Sequence, residues 1–103
     1  MSMLAVLLLV LVSPQQNSKA KGKLFFYPES TYTSAFKETF LRTCKDVELS
    51  ENESESKYRA EVGSAQNKFT WILRDWRGKA LSFDERSSME DAAASLCKAA
   101  KNQ

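Results

Sequence analysis

Ten consecutive apolar residues, Met3 to Val12 (MLAVLLLVLV), constrain this chain more than any other feature. The run is about half the ~20 residues that a membrane-spanning helix needs. Polar Ser13-Pro14-Gln15-Gln16-Asn17 follows it, not patterned sequence. That is the layout of a signal-peptide core, and Ser18 and Ala20 supply the small residues expected before a cleavage after Ala20. A site near Ser13 is the second candidate. One feature departs from the pattern: no Lys or Arg precedes the run. Two other readings stay open, a buried strand or helix of the fold and an uncleaved anchor. The expected organisation is a signal peptide over residues 1–20 and a single small α/β domain over residues 21–103.

A domain of that size has a thin stability margin, so a cross-link or a partner would help it. Hydrophobic residues make up 43% and charged residues 27%, a globular rather than a disordered balance. Lys19 is the only charged side chain in residues 1–20, so its removal lowers the net charge from +2 to +1. That is too balanced to predict a nucleic-acid or anionic-membrane partner from bulk charge. The chain has no histidine, which takes away the commonest general base and the commonest metal ligand together.

Along the domain, Lys23-Leu24-Phe25-Phe26-Tyr27 reads as a short aromatic strand ended by Pro28. Ser30 or Thr31 caps a helix running to about Cys44. Tyr32, Phe36, Phe40 and Cys44 recur at i+4, with Ala35 and Leu41 widening the stripe. Asp46-Val47-Glu48-Leu49 alternates as a second strand, before an acidic connector over residues 51–56. Tyr58 to Val62 alternates again, Gly63 to Asn67 reads as a turn, and Lys68 to Asp75 is the strongest strand, with Phe69, Trp71 and Leu73 on one face. Asp75-Trp76-Arg77-Gly78 is a hairpin with Gly78 where positive φ is wanted, and Lys79 to Phe83 returns. Ser87 with Glu90, or Ser88 with Asp91, makes a capping box for a last helix whose stripe is Met89, Ala92, Ala93, Leu96, Cys97 and Ala100. The expected fold is α/β of the α+β kind. It is a small mixed sheet of about four to five strands with two helices on one face, in the order β-α-β-β-β-β-α.

Few residue sets carry chemistry. Cys44 and Cys97 read as one disulfide in an exported chain, the alternative being two buried free thiols. No C-x-x-C pair and no activating histidine support redox catalysis. Asp84-Glu85 and Glu90-Asp91 read as a strand exit and a helix start, not as an acid–base pair. Glu51, Glu53 and Glu55 lack the glycine spacing of a calcium loop. Asn52-Glu53-Ser54 matches a glycosylation acceptor that matters only in a eukaryotic secretory pathway. Trp71 belongs on the core face of its strand. Trp76, at a hairpin tip beside Arg74, Arg77 and Lys79, is the candidate partner contact, the alternative being that it folds back over its own sheet.

The succession Tyr58-Arg59-Ala60-Glu61-Val62, Phe69-Thr70-Trp71-Ile72-Leu73-Arg74-Asp75, Gly78-Lys79 and a Ser-led alanine-rich helix resembles small exported domains of bacterial envelope proteins. These are of the kind found at the N-terminus of TolB and in CsgG-like assembly proteins, with related uncharacterised exported proteins. The resemblance spans about residues 23–101. It implies a non-catalytic module that pairs with envelope components and assigns a role to no single residue. The expectation is therefore a periplasmic or extracellular binding or assembly module of the cell envelope. It would have no catalytic or metal-binding residues, no cofactor, a protein partner and no stable membrane span after cleavage. The competing expectation is a single-stranded nucleic-acid or glycan binder built on Trp76 and its basic neighbours.

Overall fold

The computed structural model describes residues 23–103. The expected signal peptide and its cleavage sites lie outside the described residues. Strand β1 (Leu24–Tyr27) leads into helix α1 (Thr31–Thr43), and a short 3-10 turn follows at Glu53–Glu55. Three strands come next: β2 (Tyr58–Ala65), β3 (Lys68–Asp75) and β4 (Ala80–Arg86). Helix α2 (Met89–Lys101) closes the chain. The strands lie in the order β1-β2-β3-β4, with β1 parallel to β2 and the rest antiparallel. This is a mixed sheet of the expected α+β class. The expected strand at Asp46–Leu49 contributes a single parallel bridge, Leu49 to Leu24, on the outer edge of β1. Two bonds hold it there: Leu24 N–H donates to the Glu48 carbonyl and Ser50 N–H to the Leu24 carbonyl, both at 2.9 Å. With a β1 only four residues long, the segment has little edge to follow.

Local chemistry sets the ends of each element. Ser30, not Thr31, caps α1, its hydroxyl accepting from Thr33 N–H at 3.0 Å. Ser88, not Ser87, caps α2 and accepts from Asp91 N–H at 3.1 Å. Glu90 and Asp91 lie in the first turn of α2 and Lys98 and Lys101 in its last, both in the sense the helix dipole favours. The β2–β3 turn is tighter than its composition suggests. Gln66 and Asn67 both take positive φ, at 50° and 65°, so two residues make the whole turn and Gly63 stays inside β2, opposite Thr70. The β3–β4 turn has Gly78 at φ 91°, and Asp75 Oδ1 accepts from the N–H groups of Arg77 and Lys79, both at 2.9 Å.

Both helices pack on one face of the sheet. The core joins Leu24, Phe26, Ala60, Val62, Trp71 and Leu73 of the strands to Phe36 and Phe40 of α1 and Ala92, Ala93 and Leu96 of α2. Phe40 meets Phe26 edge-on, ring centres 5.2 Å apart. Phe36, Phe40 and Cys44 of the i+4 stripe are buried and Tyr32 is half-buried, Thr33 and Thr39 widen the stripe, and Ala35 and Leu41 face outward, Leu41 being 45% exposed. The helix is rolled toward α2, where Thr39 bonds its own turn and Met89. A buried threonine is tolerated because its hydroxyl bonds the carbonyl of Ala35, four residues back.

Candidate functional site: the uncovered face of the sheet

Among the described residues, no element covers the second face of the sheet. Register defines its side chains in rows across the strands. Tyr27, Glu61, Ile72 and Phe83 form one row, and Gly63, Thr70 and Glu85 form the next. Phe83 is 76% exposed and Leu81 beside it 36%. Large apolar side chains grouped on an uncovered sheet face are a more informative signal than scattered ones. A groove of about 740 Å³ runs over this face, with Gly63, Thr70, Ile72 and Phe83 in its lining and the carboxylates of Glu61 and Glu85 around it. Gly63 keeps the groove open: a Cβ there would sit 3.2 Å from the Thr70 hydroxyl.

Phe83 and Leu81 were not among the residues the sequence singled out. Their alternation with Ser82 and Asp84 was visible, but a strand that alternates normally turns its apolar side inward. Here β4 does the reverse. Leu73 pairs with Ser82 and Ile72 with Phe83, so Ser82 and Asp84 lie on the helix side. Asp84 is satisfied there, accepting from Ser95 Oγ at 2.5 Å, Arg86 Nε at 2.8 Å and the N–H of Glu85. These bonds, that of Ser95 foremost, hold its carboxyl below the usual aspartate range. Asp84-Glu85 is thus part of the strand and not its exit. β4 is also the free edge, and it is guarded. Leu81 is an extra residue between the pairs Leu73–Ser82 and Arg74–Ala80, a bulge that twists the edge away from strand addition.

The expected contact residues fall at one end of this face. Trp76 is 54% exposed at the hairpin tip, and the Arg77 guanidinium lies 4.7 Å over its ring. Arg74 is committed elsewhere. It grips Glu61 Oε1 through Nε and Nη2, at 3.2 and 3.1 Å, and the Gly78 carbonyl through Nη1. The Glu61 contact raises the Arg74 pKa further. Tyr27, its hydroxyl turned to Glu61, has its pKa raised by burial and then by that carboxylate. Lys79 is exposed, its backbone N–H held by Asp75. Arg59 joins the tip to the 3-10 turn, with its guanidinium 3.3 Å from the Trp76 carbonyl and 3.0 Å from Glu53. Trp71 is in the core at 2% exposure.

No family model, curated protein or solved structure matches this chain.

On the helix side, Cys44 and Cys97 form a disulfide with Cα atoms 5.6 Å apart, tying the end of α1 to α2. Both cysteines are buried. A bond of this kind is consistent with an oxidising compartment. Among the described residues, no helix is long and apolar enough to cross a membrane, and no cluster of acidic or thiol groups has the arrangement of a metal site.

Proposed function

We propose that this chain is an exported, non-catalytic module that binds a protein partner in the cell envelope through the uncovered face of its sheet. The observation that carries the reading is Phe83, an aromatic ring left three-quarters exposed in a sheet strand over an open groove. Export is supported by the apolar run Met3–Val12 and by the Cys44–Cys97 bond. The non-catalytic reading is supported by the lack of histidine and by the bonding of both cysteines to each other, which leaves no thiolate nucleophile.

The test uses the oxidised protein as bait on a solubilised envelope fraction, beside Phe83→Asp and Trp76→Ala. Capture of a discrete partner that Phe83→Asp abolishes supports the reading. Equal capture by Phe83→Asp, or none by the parent protein, overturns it. The second reading, a nucleic-acid or glycan binder, draws on the exposed Trp76 with Arg77 stacked on it. It requires salt-dependent quenching of Trp76 fluorescence by an oligonucleotide, or salt-independent quenching by an oligosaccharide.

A further inference from the structure

The groove on the open face has a one-sided chemistry. Two carboxylates border it, those of Glu61 and Glu85, and no basic side chain lines it. Arg74 balances Glu61 at 3.1 Å. Glu85 makes no ion pair among the described residues and is exposed at the groove's outer rim. Across the strands from it stand the Thr70 hydroxyl and the bare backbone of Gly63, and one row away lie Ile72 and the ring of Phe83. An apolar floor that ends at an unpaired carboxylate matches one kind of side chain, a long aliphatic stem with a cationic head. Lysine and arginine are built that way. Their methylenes cover apolar surface while the head stays wet, and the head is attracted to an aromatic face.

We infer that the occupant of the groove is a basic segment of the protein partner. One Lys or Arg lies with its stem along Ile72 and Phe83 and its cationic head at Glu85. This deepens the proposed function and rests on it. A face, and not the β4 edge, receives the segment, because the Leu81 bulge and the Asp84 bond to the Glu85 N–H both hinder addition of a strand. An acidic or phosphorylated segment is disfavoured by the like charge it would meet at Glu85. Two features of the face set the reach of the contact. Gly63 gives the stem its depth, and the guarded edge keeps the segment lying across the strands.

The experiment is a nitrogen-15 amide NMR titration of the oxidised protein with the peptide acetyl-Thr-Lys-Leu-Arg-Thr-amide, beside a control peptide with Glu in place of both bases. The expected result is a shift of the Gly63, Thr70, Ile72, Phe83 and Glu85 amides by the basic peptide alone, weakening as salt rises. Glu85→Lys is expected to lower the affinity about tenfold or more, and Phe83→Ser to do the same. Both positions are exposed, so both variants should keep the parent's melting midpoint and remain informative. Equal shifts with the acidic peptide overturn the inference, and so do shifts confined to the Trp76 hairpin. Amide shifts that depend on protein concentration without peptide also overturn it, and assign the face to a second copy. If the basic peptide fails while Phe83-dependent capture from the envelope fraction persists, this inference falls and the proposed function stands.

Discussion

Two tryptophans five residues apart have opposite fates because one sits within a strand and the other at its end. Trp71 is on the helix side of β3, and Trp76 is beyond the strand, at the hairpin tip. Trp71→Ala is expected to cost ~3–5 kcal/mol, as large-to-small core changes do. Trp76→Ala is expected to stay within ~0.5 kcal/mol, as surface changes usually do. Denaturant melts of the pair check this, and a comparable loss in both would mean that the tip is packed in solution. Asp84 and Asp75 govern a second residue-scale property. Ser95, the Glu85 N–H and Arg86 lower the Asp84 pKa, and the N–H groups of Lys79 and Arg77 lower that of Asp75. A carboxyl with a lowered folded pKa binds protons more weakly folded than unfolded. Its contribution is therefore full above the unfolded value of about 4 and is lost as pH falls through the folded value. Asp84→Asn should flatten the fall in urea midpoint between neutral pH and strong acid. An unchanged slope would remove Asp84 from the acid response.

At the scale of elements, the disulfide replaces packing that two short helices cannot supply alone. Each helix has 13 residues, and their apolar stripes are rich in alanine or interrupted by threonine. Cys44 and Cys97 are 53 residues apart, and closing a loop of that length stabilises by about 4 kcal/mol in the chain-entropy model. The double variant Cys44→Ala/Cys97→Ala should lose about that much in equilibrium unfolding. Thiol titration of the denatured, unreduced parent should find no free thiol. Two reactive thiols per chain would show that the bond does not form in the purified protein. The β3–β4 hairpin is the other element with a task. Arg74 pins it from below through Glu61 and Gly78, so the tip that carries Trp76 and Arg77 is presented on a fixed base.

The described residues form two layers, and a two-layer arrangement leaves one sheet face for water or for a partner. Here that face keeps Phe83 and Ile72 beside Glu85, which makes no ion pair among the described residues, and this suits a partner carrying both apolar and basic groups. Export would bring the molecule to that partner. Intact-mass measurement of protein made in a secreting host should find the first twenty residues, or about that number, removed. Recovery of a soluble cytoplasmic product that retains Met3–Val12 would sink the export reading.

Periodicity along the chain was enough to determine the two helices, the strands before and after the Trp76 hairpin, and Trp71 as core. Apolar spacing of two or of about three and a half reports on an element's own faces without reference to its neighbours. Turn chemistry was legible at Gly78 and misleading at Gly63, because Gln66 and Asn67 took the positive φ angles that composition assigns to glycine first. The pairing of Cys44 with Cys97 was expected but left open, since distance between two helices is not a property of either. The candidate site depended on tertiary structure most of all. The alternation of β4 is the same whichever way its faces point, and local sequence favours Leu81 and Phe83 inward. Register with β3, together with Ser95 on α2 meeting Asp84, turned the strand over and left its apolar side in the open. Strand orientation is a cooperative choice between layers: a one-residue shift of pairing exchanges every side chain between faces.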